Sequence, residues 1–267
     1  MSSLVASVSF KNIKLEIHHL SNLFSIGKTV SQPRDRYIVN SGNEYLVGAQ
    51  LPYFPRAGLP RVNNVLGGPG SWQMSSNWCG MSAGDMMVYP AQALDGQLDT
   101  GDLRHWIVDN VSPGAPSADN DTATAGHDRL RRLHLTADQV RCPTGQCVWS
   151  PTFGEHKDLF NLGILHTVSP YNSDPDRDQK LTQCYSNCIK TALSRQVDSS
   201  SQRCITTALL GTGVKLIDYD VSTKSLQKTL ISSEALSEGK TCEAEICVEL
   251  VLQSLQSCDL VMEVFKS

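Results

Sequence analysis

Apolar residues along this chain fall into short runs, some at the twofold spacing of strands and others at the three-and-four spacing of helices. Leu15, Ile17 and Leu20 form a brief apolar pattern near the start, and residues 37–40 predict a strand that runs straight into Asn40, Ser41, Gly42 and Asn43. Residues 148–153 predict another strand, and residues 162–168 a mostly buried one closed by the turn at Ser169 and Pro170. A further apolar run, 204–210, opens into Gly211, Thr212 and Gly213, while Ile246, Val248, Leu250 and Leu252 alternate as a strand should.

The clearest helix lies between two of these strands. Leu181, Cys184, Tyr185, Cys188, Ile189, Ala192 and Leu193 make one apolar stripe. Asp174 is placed to cap it with Pro175 at the first helical position, Asp176 and Asp178 suit the positive end, and Lys190 and Arg195 suit the negative end. Cys184 and Cys188 belong to the stripe, which reads them as small core hydrophobes. Further helices are expected over 222–231 and from Ser257 and Asp259 through Phe265. From about 44 to 141 the pattern breaks down into Gly, Pro, Ser and Asn, with Pro-Gly-Ala-Pro at 113–116 and a polar run over 117–126, although short helices fit 98–108 and 128–135. Strands alternating with helices imply an α/β sheet whose ligands sit beyond the carboxyl ends of the strands.

Length and charge narrow the function. A chain of 267 residues with 40% hydrophobic content suits one domain, here residues 1–267 with an irregular, insertion-rich segment at about 44–141. The formal net charge of -4, with no run of Lys or Arg, argues against direct nucleic-acid binding. No apolar stretch approaches the roughly 20 residues that span a bilayer, and residues 1–10 lack the pattern of a signal peptide. Nine cysteines without a secretory signal suggest reduced thiols in the cytoplasm or nucleus. Their spacings do not form a zinc knuckle, so no metal and no cofactor is expected.

The candidate chemistry is uncharged. Asn40 and Asn43 bring primary amides, which donate and accept hydrogen bonds, to the end of a strand, as a neutral ligand rich in hydroxyls requires; an ordinary Asn/Gly turn is the plainer reading. Two glycine-bearing loops, Leu66-Gly67-Gly68-Pro69-Gly70 and Leu210-Gly211-Thr212-Gly213-Val214, could admit a phosphate close to the backbone, or serve only as turns. Neither has the GxxxxGK[ST] pattern of a P-loop.

Taken in order, these segments resemble the macro domain family. Residues 35–43 are similar to its strand ending in V-D-A-I-V-N-A-A-N, and residues 66–70 to its first phosphate loop. Residues 141–145 and 163–170 resemble its C-x-T-G and I-I-H-x-V-G-P segments, residues 181–193 its L-x-x-C-Y-x-N-x-L helix, and residues 208–214 its second phosphate loop. The resemblance implies a three-layer α/β/α fold with a mixed central sheet, and a ligand that is ADP-ribose or an ADP-ribosylated protein. It implies that Asn43 faces the distal ribose and Asn40 shapes the strand end, the two being the catalytic candidates. Gly67, Gly68 and Gly70 would approach one phosphate, and Leu210, Gly211, Thr212, Gly213 and Val214 would wrap the diphosphate from the other side.

Two departures bear on activity. His18-His19-Leu20-Ser21 stands where family members carry Gly-Asp-Ile-Thr, whose Asp holds the adenine amino group, and Ser71-Trp72 stands where many hydrolytic members carry Val-Asp. Hydrolysis would mean attack of water, oriented by Asn43 or a phosphate oxygen, on the anomeric carbon of the distal ribose, with positioning as the main source of rate. A reader that binds without turnover, or a nucleotide-binding α/β scaffold, are the alternatives. Asp85 is a substitute acid/base on paper but fits a turn, His166 fits a satisfied core position, and Trp72 and Trp78 could cover a base or ribose face or simply pack.

Overall fold

The computed structural model describes residues 4–10, 12–20, 23–28, 34–41, 46, 106–107, 109–112, 140–153, 157–196, 202–212, 215–236 and 246–266. Seven strands form one mixed sheet: β1 (Leu4–Ser9), β2 (Ile13–His19), β3 (Asp35–Ser41), β4 (Cys147–Ser150), β5 (Gly163–Thr167), β6 (Arg203–Thr207) and β7 (Ile246–Leu252), in the order β1-β2-β7-β6-β3-β5-β4. The five inner strands run parallel, and the edges β1 and β4 pair antiparallel to β2 and β5. Parallel inner strands are covered on both faces, and β7 is accordingly buried at every position, Glu249 included. Strands β3 and β5 match the apolar runs that predicted them, whereas β1 carries no such signal because it is an edge strand with Leu4 and Val5 exposed.

Three helices, α1 (Arg177–Ser194), α2 (Tyr219–Leu236) and α3 (Leu255–Lys266), pack with one face of the sheet. That face contributes Ile13, Leu15 and Ile17 from β2, Tyr37 and Val39 from β3, Leu165 from β5, Ile205 from β6, and Ile246, Val248, Leu250 and Leu252 from β7. The α1 stripe meets it through Leu181, Cys184, Tyr185, Cys188, Ile189 and Ala192, while Leu193 stays 40% exposed at the helix end. Burial pushes the Cys184 thiol up to about 11, so it remains a protonated core group that donates to the Val168 carbonyl at 3.2 Å. The start of α1 differs from expectation. Asp176 is the N-cap residue, and Asp174 instead closes the preceding turn, its Oδ2 accepting the Tyr171 N–H at 2.8 Å and its carbonyl the Arg177 N–H at 3.1 Å. Pro175 therefore precedes the helix rather than opening it. Helix α2 extends beyond both ends of the expected 222–231.

Gly163 opens β5 with φ 111°, and a Cβ there would lie 2.4 Å from both the Ser150 carbonyl oxygen and the Trp149 indole nitrogen. Only glycine lets β4 and β5 approach so closely while the indole donates to the Leu162 carbonyl at 2.8 Å.

The opposite face carries a second apolar cluster and a group of buried charges. Leu23 and Ile26 of a 3-10 turn (Leu23–Lys28), Ile107 of a short helical stretch, and Phe160 pack with Ile38, Ile164 and Val251. Of the helix expected at 98–108, Trp106 and Ile107 are helical, together with Asp109 and Asn110; the helix expected over 128–135 lies outside the described residues. Beside this cluster Glu16 of β2 and Glu249 of β7 are buried on adjacent strands. Arg34 spans them, reaching Glu16 Oε2 at 2.7 Å and Glu249 Oε1 at 3.0 Å. Arg36 of β3 donates through Nε to Glu249 Oε2 at 3.0 Å, and Thr206 of β6 donates to the same oxygen at 2.7 Å. Hydrogen bonds from His18, Arg34 and Lys14 outweigh burial and hold the Glu16 carboxyl well below the usual carboxylate range.

Removing one member of such a network strands the rest in a dry setting. Glu249→Ala is expected to cost about 3–5 kcal/mol, read as a lower urea midpoint, because the buried Arg36 loses its counter-charge; an unchanged midpoint would show that water replaces the carboxylate.

Candidate functional site

The carboxyl ends of β5, β3 and β6 lie side by side, and most of the expected chemistry is carried on or just beyond them. Asn40 is the penultimate residue of β3, buried, and in register with His166 of β5. Its amide nitrogen lies 3.1 Å from His166 Nδ1. An NH2 group only donates, so Nδ1 accepts and the ring hydrogen sits on Nε2, 2.8 Å from the Ser150 hydroxyl oxygen, which in turn donates to the Pro151 carbonyl at 3.1 Å. Serine, histidine and asparagine in a row have the composition of a nucleophilic triad, but here all three are buried and the Ser150 hydrogen is committed to a backbone oxygen. Burial pushes the His166 imidazole down to about 3, so it stays neutral. His166 is thus the satisfied core residue that its place in an apolar strand suggested. The other half of the Asn40 amide, Oδ1, is buried without a hydrogen-bond partner.

The connection after β6 is fixed by a directed ring of hydrogen bonds. The Leu210 N–H donates to the Tyr185 hydroxyl at 2.8 Å, and Ser222 donates to the Leu210 carbonyl at 2.8 Å. With its hydrogen so used, Ser222 accepts from Tyr185 at 2.8 Å, which closes the circle. Both polar backbone atoms of Leu210 are therefore taken up within the protein, and the loop rises from a rigid base. Gly211 follows with φ 79°, and its carbonyl accepts the Ile217 N–H at 3.0 Å. Thr212 Oγ1 donates to the Leu209 carbonyl at 3.1 Å. At the far side of the turn Leu216 also has a left-handed φ of 57° and is 71% exposed, an unusual conformation for a leucine.

The connections after β5 and β6 meet across the end of β3. The Asn172 N–H donates to the Lys215 carbonyl at 2.8 Å, and the Lys215 ammonium lies 3.5 Å from the centroid of the Tyr171 ring. Ser41 and Ser169 share a hydrogen bond of 3.3 Å, which ties the end of β3 to the same edge. The structure thus brings Asn40, Leu210, Gly211 and Thr212 to one edge of the sheet. Asn43, Gly67, Gly68, Gly70, Gly213 and Val214, like Asp85, Trp72 and Trp78, lie outside the described residues. Sequence reasoning did not single out Ser150 or Ser222, nor Tyr185 beyond its place in a helical stripe. A polar residue on an otherwise apolar strand or helix face was the available signal. Among the described residues no group of three or more His, Cys, Asp or Glu could hold a metal ion, and no helix is long and apolar enough to cross a membrane.

Comparison with known proteins bears on the fold. Residues 122–226 match the macro domain family model. The Oceanobacillus iheyensis macrodomain with ADP is 15% identical, with 98% of this chain and 94% of that chain covered and a TM-score of 0.50. A mutant of that macrodomain with ADPR is 16% identical, with 98% and 96% covered and a TM-score of 0.51. No curated protein matches the chain. The resemblance read from the motifs therefore stands: the fold is the macrodomain fold, α/β with a mixed central sheet.

Two predictions follow from the chemistry of the site. Because His166 stays neutral down to about pH 3 when folded, against an ordinary value of 6.5, the unfolded chain binds a proton in that window that the folded chain refuses. The stabilisation is complete above the ordinary value and is lost as pH falls, by about 1.4 kcal/mol per pH unit. His166→Asn is expected to flatten this acid limb in urea unfolding, and parallel limbs for the two proteins would show that folded His166 titrates normally. Gly211→Ala combines a left-handed φ with a Cβ 2.6 Å from Ile217 Cδ1; a loss of about 1–2 kcal/mol is expected in thermal unfolding, and full retention would mean that the loop re-forms without it.

Proposed function

We propose that the chain binds ADP-ribose, free or attached to a protein, in the crevice at the carboxyl edge of the sheet. The observation that carries this reading is the clasp between residues 171–172 and Lys215 across the end of β3, which sets the Asn40 strand end beside the loop at Leu210, Gly211 and Thr212. The ADP and ADPR held by macrodomains of the same fold support it. In this reading Asn43 faces the distal ribose, Asn40 shapes the strand end, and Gly67, Gly68 and Gly70 approach one phosphate. Gly211, Thr212, Gly213 and Val214 wrap the diphosphate above the anchored Leu210. The site belongs to a single domain spanning residues 1–267, with the 44–141 segment as its insertion, in a protein of the cytoplasm or nucleus.

Hydrolysis is the catalytic form of the same reading, with Asn43 orienting water toward the anomeric carbon of the distal ribose. Ser71-Trp72 in place of Val-Asp favours the reader form, which binds without turnover.

Calorimetric titration with ADP-ribose, AMP and NAD tests binding. Tighter binding of ADP-ribose than of AMP is expected, and equal affinities would replace this reading with a general nucleotide site. Asn43→Ala should weaken ADP-ribose by about three- to tenfold, the worth of one hydrogen bond, and leave AMP unchanged. Release of free ADP-ribose from a labelled, modified protein would select the hydrolase over the reader.

A further inference from the structure

We propose that His166 is a positioning residue that presents the Asn40 carbonyl oxygen to a hydroxyl of the ligand. This rests on the reading of the site given above and deepens it by naming the group that is met.

A carboxamide has two different ends, and a free asparagine can exchange them by rotating about its last bond. In this protein one end is assigned. The Asn40 NH2 is spent on His166 Nδ1 at 3.1 Å, and that nitrogen can only accept because the ring hydrogen is spent on Ser150 at 2.8 Å. With the ring hydrogen on Nε2, Ser150 accepts it, and its own hydrogen is left for the Pro151 carbonyl at 3.1 Å. The NH2 placed on Nδ1 sets the direction of the whole row from Asn40 to Pro151, and it leaves one acceptor, Oδ1, that is buried and has no partner. An unpaired buried acceptor is costly, and a hydrogen-bond donor relieves the cost. Phosphate oxygens are acceptors and would be repelled there. A neutral hydroxyl, such as those of a sugar, fits the position at the end of β3, and so does a water bound alongside it.

The two nitrogens of His166 can be separated by substitution. In His166→Asn the shorter amide falls near Nδ1 and can still accept from Asn40, whereas in His166→Gln the longer one falls near Nε2 and keeps only the Ser150 contact. Both variants should melt at lower temperature than the wild type. By calorimetry, His166→Asn is expected to keep the wild-type ratio of ADP-ribose to AMP affinity, while in His166→Gln the ratio falls by at least about threefold with AMP affinity unchanged. A purely structural role would move both variants and both ligands together. Nuclear magnetic resonance of the wild type gives a reading that needs no variant: the side-chain NH2 pair of Asn40 should shift on addition of ADP-ribose and stay in place with AMP. A Gln variant that keeps the full ratio, or an Asn40 pair that responds alike to both ligands, overturns the positioning role alone. A wild type that does not distinguish the ligands overturns the site reading and this inference with it.

Discussion

The carboxylate of Glu249 is the point from which the central strands are held in register. It sits at the middle of β7 on the face away from α1–α3, in contact with Arg36 of β3, Thr206 of β6 and Arg34, which reaches across to Glu16 of β2. Four neighbouring strands thus share one charge network where apolar side chains could have been placed. Such networks are seldom the most stable solution, because desolvation offsets much of the attraction, but they tolerate little slippage. A shift of β3 by one residue would take Arg36 away from Glu249 and carry Asn40 to the other face of the sheet. The position of the Asn40 amide is in that sense decided by an ion pair four residues upstream.

Above that anchor the sheet edge is built from backbone and neutral polar groups. His166 and Ser150 set the Asn40 amide, Tyr185 and Ser222 set Leu210, and Asn172 with Lys215 ties the two flanking connections together. Charge lies at the centre of the sheet and dipoles at its rim. The described part of this rim is held by hydrogen bonds within the protein itself.

Much of the fold was legible because the relevant signals are local. The α1 stripe announced itself through residues three and four apart, and β5 through an unbroken apolar run closed by Ser169 and Pro170. Where the reading slipped, tertiary context was responsible. Asp174 and Pro175 have the look of a helix start, yet Asp174 found a nearer partner in the Tyr171 amide and the helix began two residues past Pro175. Leu4–Ser9 carries only a faint signal because Ala6 and Val8, the residues that meet the core, are small and only partly buried. The site was legible only as order along the chain. That Asn40 and Gly211 lie along the same edge of the sheet depends on β3 inserting between β5 and β6, a long-range pairing that leaves no mark in either segment. The buried charges were invisible for the same reason: Glu16, Arg34, Arg36 and Glu249 look like ordinary surface residues until the strands are assembled.

The ring of Leu210, Tyr185 and Ser222 also joins two layers mechanically. Tyr185 belongs to α1 and Ser222 to α2, so the height of the loop above the sheet is gauged by the separation of two helices on its flank. Each member is donor to the next in a single direction, which means that none can rotate away alone. The loop therefore has no independent soft motion at its root, and any rearrangement that lifted Leu210 would have to be transmitted to the spacing of the helical layer.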